Sequence, residues 1–287
     1  MPDTEKAVLI TGAGRGLGKA LALTFLEKGW SVLATDLVQP VYEDANDTGL
    51  PTNRQGSKKK LVCLMMDVTS DESVAAAYVT ANTENIRLDL IINNAGMDNY
   101  FLLSEAPVGK FKQMFEVNVF GAYRVNQVFL PLLRRPGGRI IHIGSESLNL
   151  AMPFMAYPLT KKLLEGYAKA LRQELRFHGI DVVVIRPGAI NTELLQTVSK
   201  LGPATGEANE DDPLKTAFFT FASQASKEIG KVISPATAAG FIYNVSCKPR
   251  PRAVYRINNM LQLRIAAMLP FSLVERIVHR RLSKKGK

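Results

Sequence analysis

The chain has 287 residues, 46% of them hydrophobic, which suits one large buried core rather than a small disulfide-stapled module. Its net charge of +10 would suit a polyanion, but eleven Lys or Arg and a single acid, Glu275, lie between Lys248 and Lys287. The remainder is neutral, and with no groove-reading motif a nucleic-acid partner is not expected. Cys63 and Cys247 make no disulfide framework, no apolar signal segment opens the chain, and no apolar run reaches the roughly 18 residues of a membrane span. A cytoplasmic chain is therefore expected.

Lys6 to Thr11 reads as a buried strand that runs straight into glycines, and Leu17 to Lys28 has helical periodicity closed by Gly29. Ser31 to Thr35 is a second strand ending at Asp36. Residues 39–60 are polar and turn-rich, a short helical turn at most and then an exposed loop ending in Lys58-Lys59-Lys60. Leu61 to Met66 is a third strand that ends at Asp67, with Cys63 as a buried small hydrophobe. The helix expected from Ser70 to about Asn85 carries Asp71 and Glu72 in its first turn, at the positive end of its dipole. Leu88 to Ile92 is the fourth strand, Val108 to Leu133 a long helix, and Gly138 to Ile143 the fifth strand. Tyr157 to His178 is a helix closed by Gly179, and Ile180 to Ile185 a sixth strand stopped by Pro187-Gly188. Short, β-branched strands alternating with helices predict an α/β fold, a three-layer doubly wound parallel sheet.

Chemistry gathers at the strand ends. In TGAGRGLG, residues 11–18, Gly12 permits a tight turn, while Gly16 and Gly18 let backbone approach a dinucleotide whose pyrophosphate sits at a helix N-terminus beside Leu17. Asp36 lies roughly 20 residues on, where an acid takes the adenine ribose hydroxyls and repels a 2′-phosphate; this favours NAD over NADP. Arg15 argues the other way, because a guanidinium could pair with that phosphate. Asp36 could instead cap a turn. Asp67 could accept the adenine amino group while Val68 packs on the ring, or Asp67 could simply end a strand. Asn94, Ala95 and Gly96, within NNAG, could fit under the cofactor and tie adjacent strands together. Ser145 follows the fifth strand. Tyr157 and Lys161 are four apart on one helix face, and Pro158 sits in the first turn, where a missing N–H costs little. His142, His178 and His279 are too scattered for a metal cluster.

With these motifs in order, the sequence resembles the classical short-chain dehydrogenase/reductase family, over about residues 5–250. The resemblance implies a Rossmann fold, with Asn118, Ser145, Tyr157 and Lys161 as the catalytic residues. Tyr157 would exchange the proton, Ser145 hold the substrate oxygen, Lys161 favour phenolate and grip the nicotinamide ribose, and Asn118 hold a relay water. Pro187, Gly188, Ile190 and Thr192 would face the nicotinamide. Two departures stand out: Gly144 replaces the usual first serine, leaving Ser147 as an alternative to Ser145, and Thr160 stands where serine is commoner.

One dinucleotide-binding and catalytic domain is expected over 5–250, with a substrate lid at about 189–234, followed by a final short strand and a basic amphipathic extension over 251–287. Met152, Pro153, Phe154 and Met155, with Phe218, Phe219 and Phe221 in the lid, predict an apolar pocket for a hydrophobic secondary alcohol or ketone, steroid- or retinoid-like. The extension could cover the substrate mouth, join subunits or lie on an anionic membrane as a peripheral contact, and Pro270 divides it. The resemblance implies a homodimer or homotetramer. Alternatives are reduction of a ketone on an acidic acyl carrier and a cofactor-sensing scaffold without catalysis.

Overall fold

The computed structural model describes residues 6–42, 61–195, 212–225 and 231–283. Its sheet has seven parallel strands: β1 (Ala7–Thr11), β2 (Ser31–Asp36), β3 (Leu61–Met65), β4 (Leu90–Asn93), β5 (Arg139–Ile143), β6 (Asp181–Pro187) and β7 (Val254–Ile257). Their order is β3-β2-β1-β4-β5-β6-β7. The chain therefore moves outward from β1 to β3, then returns to add β4 on the other side of β1. The carboxyl ends of β1 and β4 face a crevice at that reversal, the usual ligand site of an open α/β sheet.

The central strands are apolar because both their faces are covered: β1, β4 and β5 are buried at every position. On one face lie α1 (Gly16–Glu27) and α7 (Pro235–Ser246), around the fully buried Phe25. On the other lie α2 (Asp71–Thr83), α4 (Gly121–Phe129) and α5 (Tyr157–Leu175), around Phe129. This is the three-layer Rossmann arrangement. Truncating either phenylalanine to alanine removes a central plug, at a cost of about 3–5 kcal/mol.

Several boundaries follow from local chemistry. The Ser70 hydroxyl accepts from the Ser73 N–H and starts α2, with Asp71 and Glu72 in its first turn. Gly179 takes a left-handed φ of 67° after a short 3-10 turn, which ends α5 before His178 and turns the chain into β6. The helix expected over 108–133 is not regular. It is α3 (Val108–Phe115), a π-turn over Glu116–Phe120, then α4 and a 3-10 turn. The Gly121 N–H reaches back to the Glu116 carbonyl, and Asn118 is drawn out of line toward Met97. A side chain at Gly121 would lie 2.7 Å from Val68 Cγ2, so a glycine admits this close crossing. Tyr42 is buried within the stretch expected as exposed loop, and its hydroxyl donates to the Ala13 carbonyl at 2.7 Å; residues 43–60 lie outside the described residues. Cys63 is half-buried rather than buried. α6 (Pro213–Ala225) belongs to the expected lid, and the extension forms α8 (Leu261–Ala266) and α9 (Phe271–Leu282), separated at Pro270.

Behind the sheet edge, His142 is fully buried, with Nε2 3.4 Å from Asn126 Nδ2 and its ring 5.8 Å from Tyr167. Burial, helped by the Lys161 charge, pushes its pKa down to about 3. The unfolded chain therefore takes up a proton as pH falls through the ordinary histidine value near 6.5 while the fold does not. Stability at this position is intact above that value and is lost as pH falls below it. Between pH 6.5 and 5 the loss is about 2 kcal/mol. Urea unfolding at those two pH values should show a smaller loss in His142→Gln than in the natural chain.

Candidate active site

The crevice is a cavity of about 920 Å³. Its floor at one end is the β1–α1 turn. Gly12 and Gly16 have φ of 65° and 52°, and a Cβ on Gly18 would lie 1.8 Å from the Gly12 carbonyl oxygen. α1 opens at Arg15 without a side-chain cap and without acids in its first turn, so its first N–H groups and positive dipole end are left for an anion. Asn94 binds this turn to β4: its Nδ2 donates to the carbonyls of Thr11 and Gly12, and Thr11 Oγ1 accepts from the N–H groups of Asn94 and Ala95. A Cβ at Gly12 would meet Ala95 Cα at 2.9 Å. The cradle is thus bare backbone held by an amide, as a pyrophosphate requires.

Asp36, at the end of β2, accepts from the Gly14 N–H at 2.8 Å and the Leu37 N–H at 2.7 Å while lining the cavity. Arg15 is turned to Glu193, 2.6 Å away, in a pair exposed to solvent. Asp67 Oδ1 accepts from the N–H and hydroxyl of Thr69, the bond pattern of a strand-end turn, yet Asp67 and Val68 also line the cavity. On another wall, Pro187 closes β6. Gly188 has no room for a side chain, because a Cβ would lie 2.0 Å from the Asn258 carbonyl oxygen. Ile190 and Thr192 continue this wall, with the Thr192 side chain 3.3 Å from the Cβ position of Gly16.

Ser145 follows β5 and lines the cavity with Tyr157, near enough to act on the phenol's ionisation. Ser147, the alternative serine, stands behind it, Oγ to Oγ 2.9 Å, and its N–H donates to Ser145 Oγ. Gly144 is explained by space: a Cβ there would lie 3.1 Å from both the Ile185 carbonyl oxygen and Val184 Cγ1. Pro158 occupies the first turn of α5, so Tyr157 and Lys161 keep their shared face. Lys161 is 4% exposed; its Nζ donates to the Ile143 carbonyl at 2.9 Å and lies 5.5 Å from the Tyr157 ring centroid. Burial pulls its pKa down to about 8 against the opposing pull of Asp98. Burial and Asp98 together raise the Tyr157 phenol well above its usual range, with Ser145 acting against them.

Every expected catalytic and cofactor-binding residue except Asn118 lines the cavity; of the expected substrate-pocket residues, Met152, Met155 and Phe221 line it and Pro153, Phe154, Phe218 and Phe219 do not. Asn118 is buried behind it. Its Oδ1 accepts from the Met97 N–H, and its Nδ2 donates to the Met97 carbonyl and to Thr160 Oγ1. Both amide donors are therefore engaged by protein. Thr160 Oγ1 in turn donates to the Tyr157 carbonyl at 2.7 Å, so the threonine keeps the bond a serine would make. Sequence reasoning missed Asp98 and Tyr100, two and four residues beyond Gly96; an acid two residues after NNAG was the available signal. The remaining wall carries an apolar patch of Met152, Met155 and Phe221, with Val278 and Leu282 from α9, beside the polar Gln113, Glu146, Gln224 and Arg281. Phe218 and Phe154 pack behind Phe221, and Phe219 stacks edge-on against Phe218. The acidic part of the lid, residues 207–211, lies outside the described residues.

The family model described as short chain dehydrogenase matches residues 6–201. The chain belongs to the short-chain dehydrogenase family. This short-chain dehydrogenase is 34% identical over 201 residues to estradiol 17-beta-dehydrogenase 2 of Rattus norvegicus, across 68% of this chain and 51% of that protein. It is 33% identical over 204 residues to 11-beta-hydroxysteroid dehydrogenase type 2 of Homo sapiens, across 70% and 49%. The chain spans about half the length of these curated relatives. A match along nearly the whole of both chains, 97% and 99%, is the uncharacterized oxidoreductase YusZ of Bacillus subtilis, at 28% identity. Among solved structures, a short-chain dehydrogenase from Streptomyces avermitilis has a TM-score of 0.73 over 98% of this chain and 96% of that one, at 22% identity. A short chain dehydrogenase/reductase from Burkholderia phymatum, in complex with NAD, has 0.67 over 87% and 88%, at 21%. At these identities the structures speak for the fold alone.

Thr160→Val should lower stability by about 1–3 kcal/mol, because it leaves an Asn118 donor unsatisfied, and Thr160→Ser should restore most of it. Chemical denaturation of the three proteins checks this.

Proposed function

We propose that this chain is an NAD-dependent oxidoreductase that interconverts a hydrophobic secondary alcohol and its ketone. The observation that carries this reading is the meeting of Ser145, Tyr157 and Lys161 in one cavity that also carries an apolar patch of Met152, Met155, Phe221, Val278 and Leu282. The other end of the cavity fits a dinucleotide, because its glycine cradle and uncapped helix start leave room and N–H donors for a pyrophosphate. When bound, the nicotinamide supplies or takes the hydride.

The residues do the rest. The Ser145 hydroxyl holds the substrate oxygen and steadies charge developing on it. Tyr157 gives that oxygen a proton in reduction and takes one in oxidation. Its phenol is costly to ionise in the free protein; Ser145 acts against that cost, and the Lys161 ammonium, 5.5 Å from the ring centroid, is the nearby cation that would favour phenolate. Lys161, anchored by one donor to Ile143, has others for the ribose. Asn118 acts as a positioning residue, holding the Gly96–Met97 segment against α5. Asp36 selects NAD, since a 2′-phosphate beside its carboxylate would bring two anions together, and Arg15 is engaged by Glu193.

The substrate reading rests on Met152, Met155, Phe221, Val278 and Leu282, and the steroid names of the relatives support it. α9 covers the mouth with Val278 and Leu282, while the same extension exposes Leu261, Ile265, Met268, Phe271 and Ile277 beside Arg264, Arg276 and Arg280. Apolar and cationic groups together suit peripheral contact with an anionic membrane. No helix among the described residues is long and apolar enough to cross one. Exposed Phe120, Tyr123, Leu159 and Leu163, on the neighbouring π-turn, α4 and α5, favour self-association into a homodimer or homotetramer.

Calorimetry with NADH and NADPH tests the cofactor. NADH should bind tighter, and Asp36→Ala should narrow the difference by about tenfold, the scale of one charge-assisted hydrogen bond. Tighter NADPH binding would overturn the assignment of Asp36. With NAD and a panel of apolar secondary alcohols, Tyr157→Phe should lose at least about a thousandfold in kcat while keeping NADH affinity, because it removes the proton carrier itself. Unchanged turnover would remove Tyr157 from the mechanism.

A further inference from the structure

Glu146 directly follows Ser145, but its bonds lead away from the reacting groups and into the C-terminal extension. Its Oε2 accepts from the Met260 N–H at 2.7 Å and from Asn259 Nδ2 at 3.2 Å. The same Asn259 amide donates to the Arg186 carbonyl at 3.2 Å. One residue earlier, Asn258 turns the chain out of β7 with a left-handed φ of 55°, a conformation that asparagine tolerates. Its Nδ2 donates to the carbonyls of Ala189 at 2.9 Å and Lys231 at 2.6 Å. The Gly188 N–H donates to the Ile257 carbonyl, and a Cβ on Gly188 would lie 2.9 Å from Glu146 Oε1. Asn258 to Met260 are thus tied to the serine turn on one side and to the wall after β6 on the other.

Little else holds the start of the extension. α8 has six residues, too few to be stable alone, and buries none of them. From residue 261 to 283, Leu282 is the one that is buried. A second cavity of about 330 Å³ is lined by Leu263, Arg264, Ala267 and Met268 from the α8 segment and by Glu146 and Asn149 from the 3-10 turn Glu146–Asn149. The two segments are therefore not close-packed there, and the bonds to Glu146 bridge the gap. The placement of the extension still matters to the site, because Met260, Leu263, Val278 and Leu282 all line the main cavity. The extension is tethered at two ends: by hydrogen bonds at Glu146, and by the apolar contact of Val278 and Leu282 with Phe218 and Phe221.

We propose that Glu146 is a positioning residue that seats the C-terminal extension over the substrate end of the cavity, so that the protein favours bulky apolar alcohols over small ones. The substrate preference rests on the dehydrogenase reading; the seating does not. A bulky substrate touches the surface that the seated extension supplies, and a small one does not reach it.

Burial raises the Glu146 pKa, and the Met260 N–H and the Asn259 amide oppose that rise. Both donors therefore favour the carboxylate, and a charged acceptor makes the stronger bond. The Glu146 side chain bonds none of Ser145, Tyr157 and Lys161, so its effect on the reaction runs through the extension.

The test uses the full chain with NADH, and hydrogen exchange read by mass spectrometry over α8 and α9. Glu146→Ala should lower the protection of the α8 amides about 10- to 100-fold, the range of one hydrogen bond to a charged group. Glu146→Gln, which keeps an acceptor oxygen, should restore most of it. NADH affinity by calorimetry should stay within about threefold in both variants, since the glycine cradle is separate. In turnover with NAD, Glu146→Ala should raise KM about tenfold more for a decalol than for cyclohexanol, with a smaller change in kcat. Leu282→Ala, which frees the other end of the extension, should give the same split. Unchanged protection in Glu146→Ala would overturn the proposal. An equal loss of kcat for both alcohols, or a loss of NADH affinity, would overturn it too, by placing Glu146 in the chemistry or in the cofactor wall. Lost protection without turnover of any alcohol would uphold the seating and sink the dehydrogenase reading. Turnover with protection indifferent to Glu146 would do the reverse.

Discussion

The Lys161 ammonium is buried, and the groups around it are arranged by that fact. A desolvated cation needs a partner, and the Ile143 carbonyl at the end of β5 provides one bond. The same charge presses His142 toward neutrality, pulls on Asp98 and stands near the Tyr157 ring. Lys161 thus couples a strand end, a helix face and a loop. Its lowered pKa marks the balance between burial, which disfavours the charge, and Asp98, which favours it.

The scaffold makes that placement cheap. Reversal of strand order between β1 and β4 opens a crevice that needs no separate lid to exist. Asn94 ties the β1 and β4 ends together, and Asn118 performs the same service between the next segment and α5. Two amides, Asn94 on backbone carbonyls and Asn118 on backbone and the Thr160 hydroxyl, hold the cofactor end and the catalytic end in one frame. The π-turn at Asn118 follows from this: a regular helix would not bring that side chain to Met97.

Much of this was legible in the sequence. β-branched runs ending at glycine, aspartate or asparagine gave the strand ends, and the site lies at those ends. Tyr157, Pro158 and Lys161 could be read together because helical spacing places i and i+4 side by side. What was not legible depends on long-range contact. The π-turn arises from a bond between Asn118 and Met97, 21 residues apart, and α7 forms where α1 offers an apolar face. Tyr42 looked like part of a polar loop, yet its ring enters the core and its hydroxyl finds Ala13. Asp98 was hidden by its neighbours: an acid in MDNY reads as a turn until Tyr100 and the apolar lid enclose it.

The most direct test of the account is the ionisation of Lys161 itself. Lysine side-chain methylene carbons can be followed by NMR through a pH titration, with the Lys161 signal assigned by its loss in Lys161→Met. The account predicts a midpoint of about 8, set by burial and partly restored by Asp98. It also predicts a further fall in Asp98→Asn, where the favourable charge is gone. A midpoint at the ordinary lysine value near 10.4 would mean that water reaches the ammonium, and the buried-cation account of this site would be wrong.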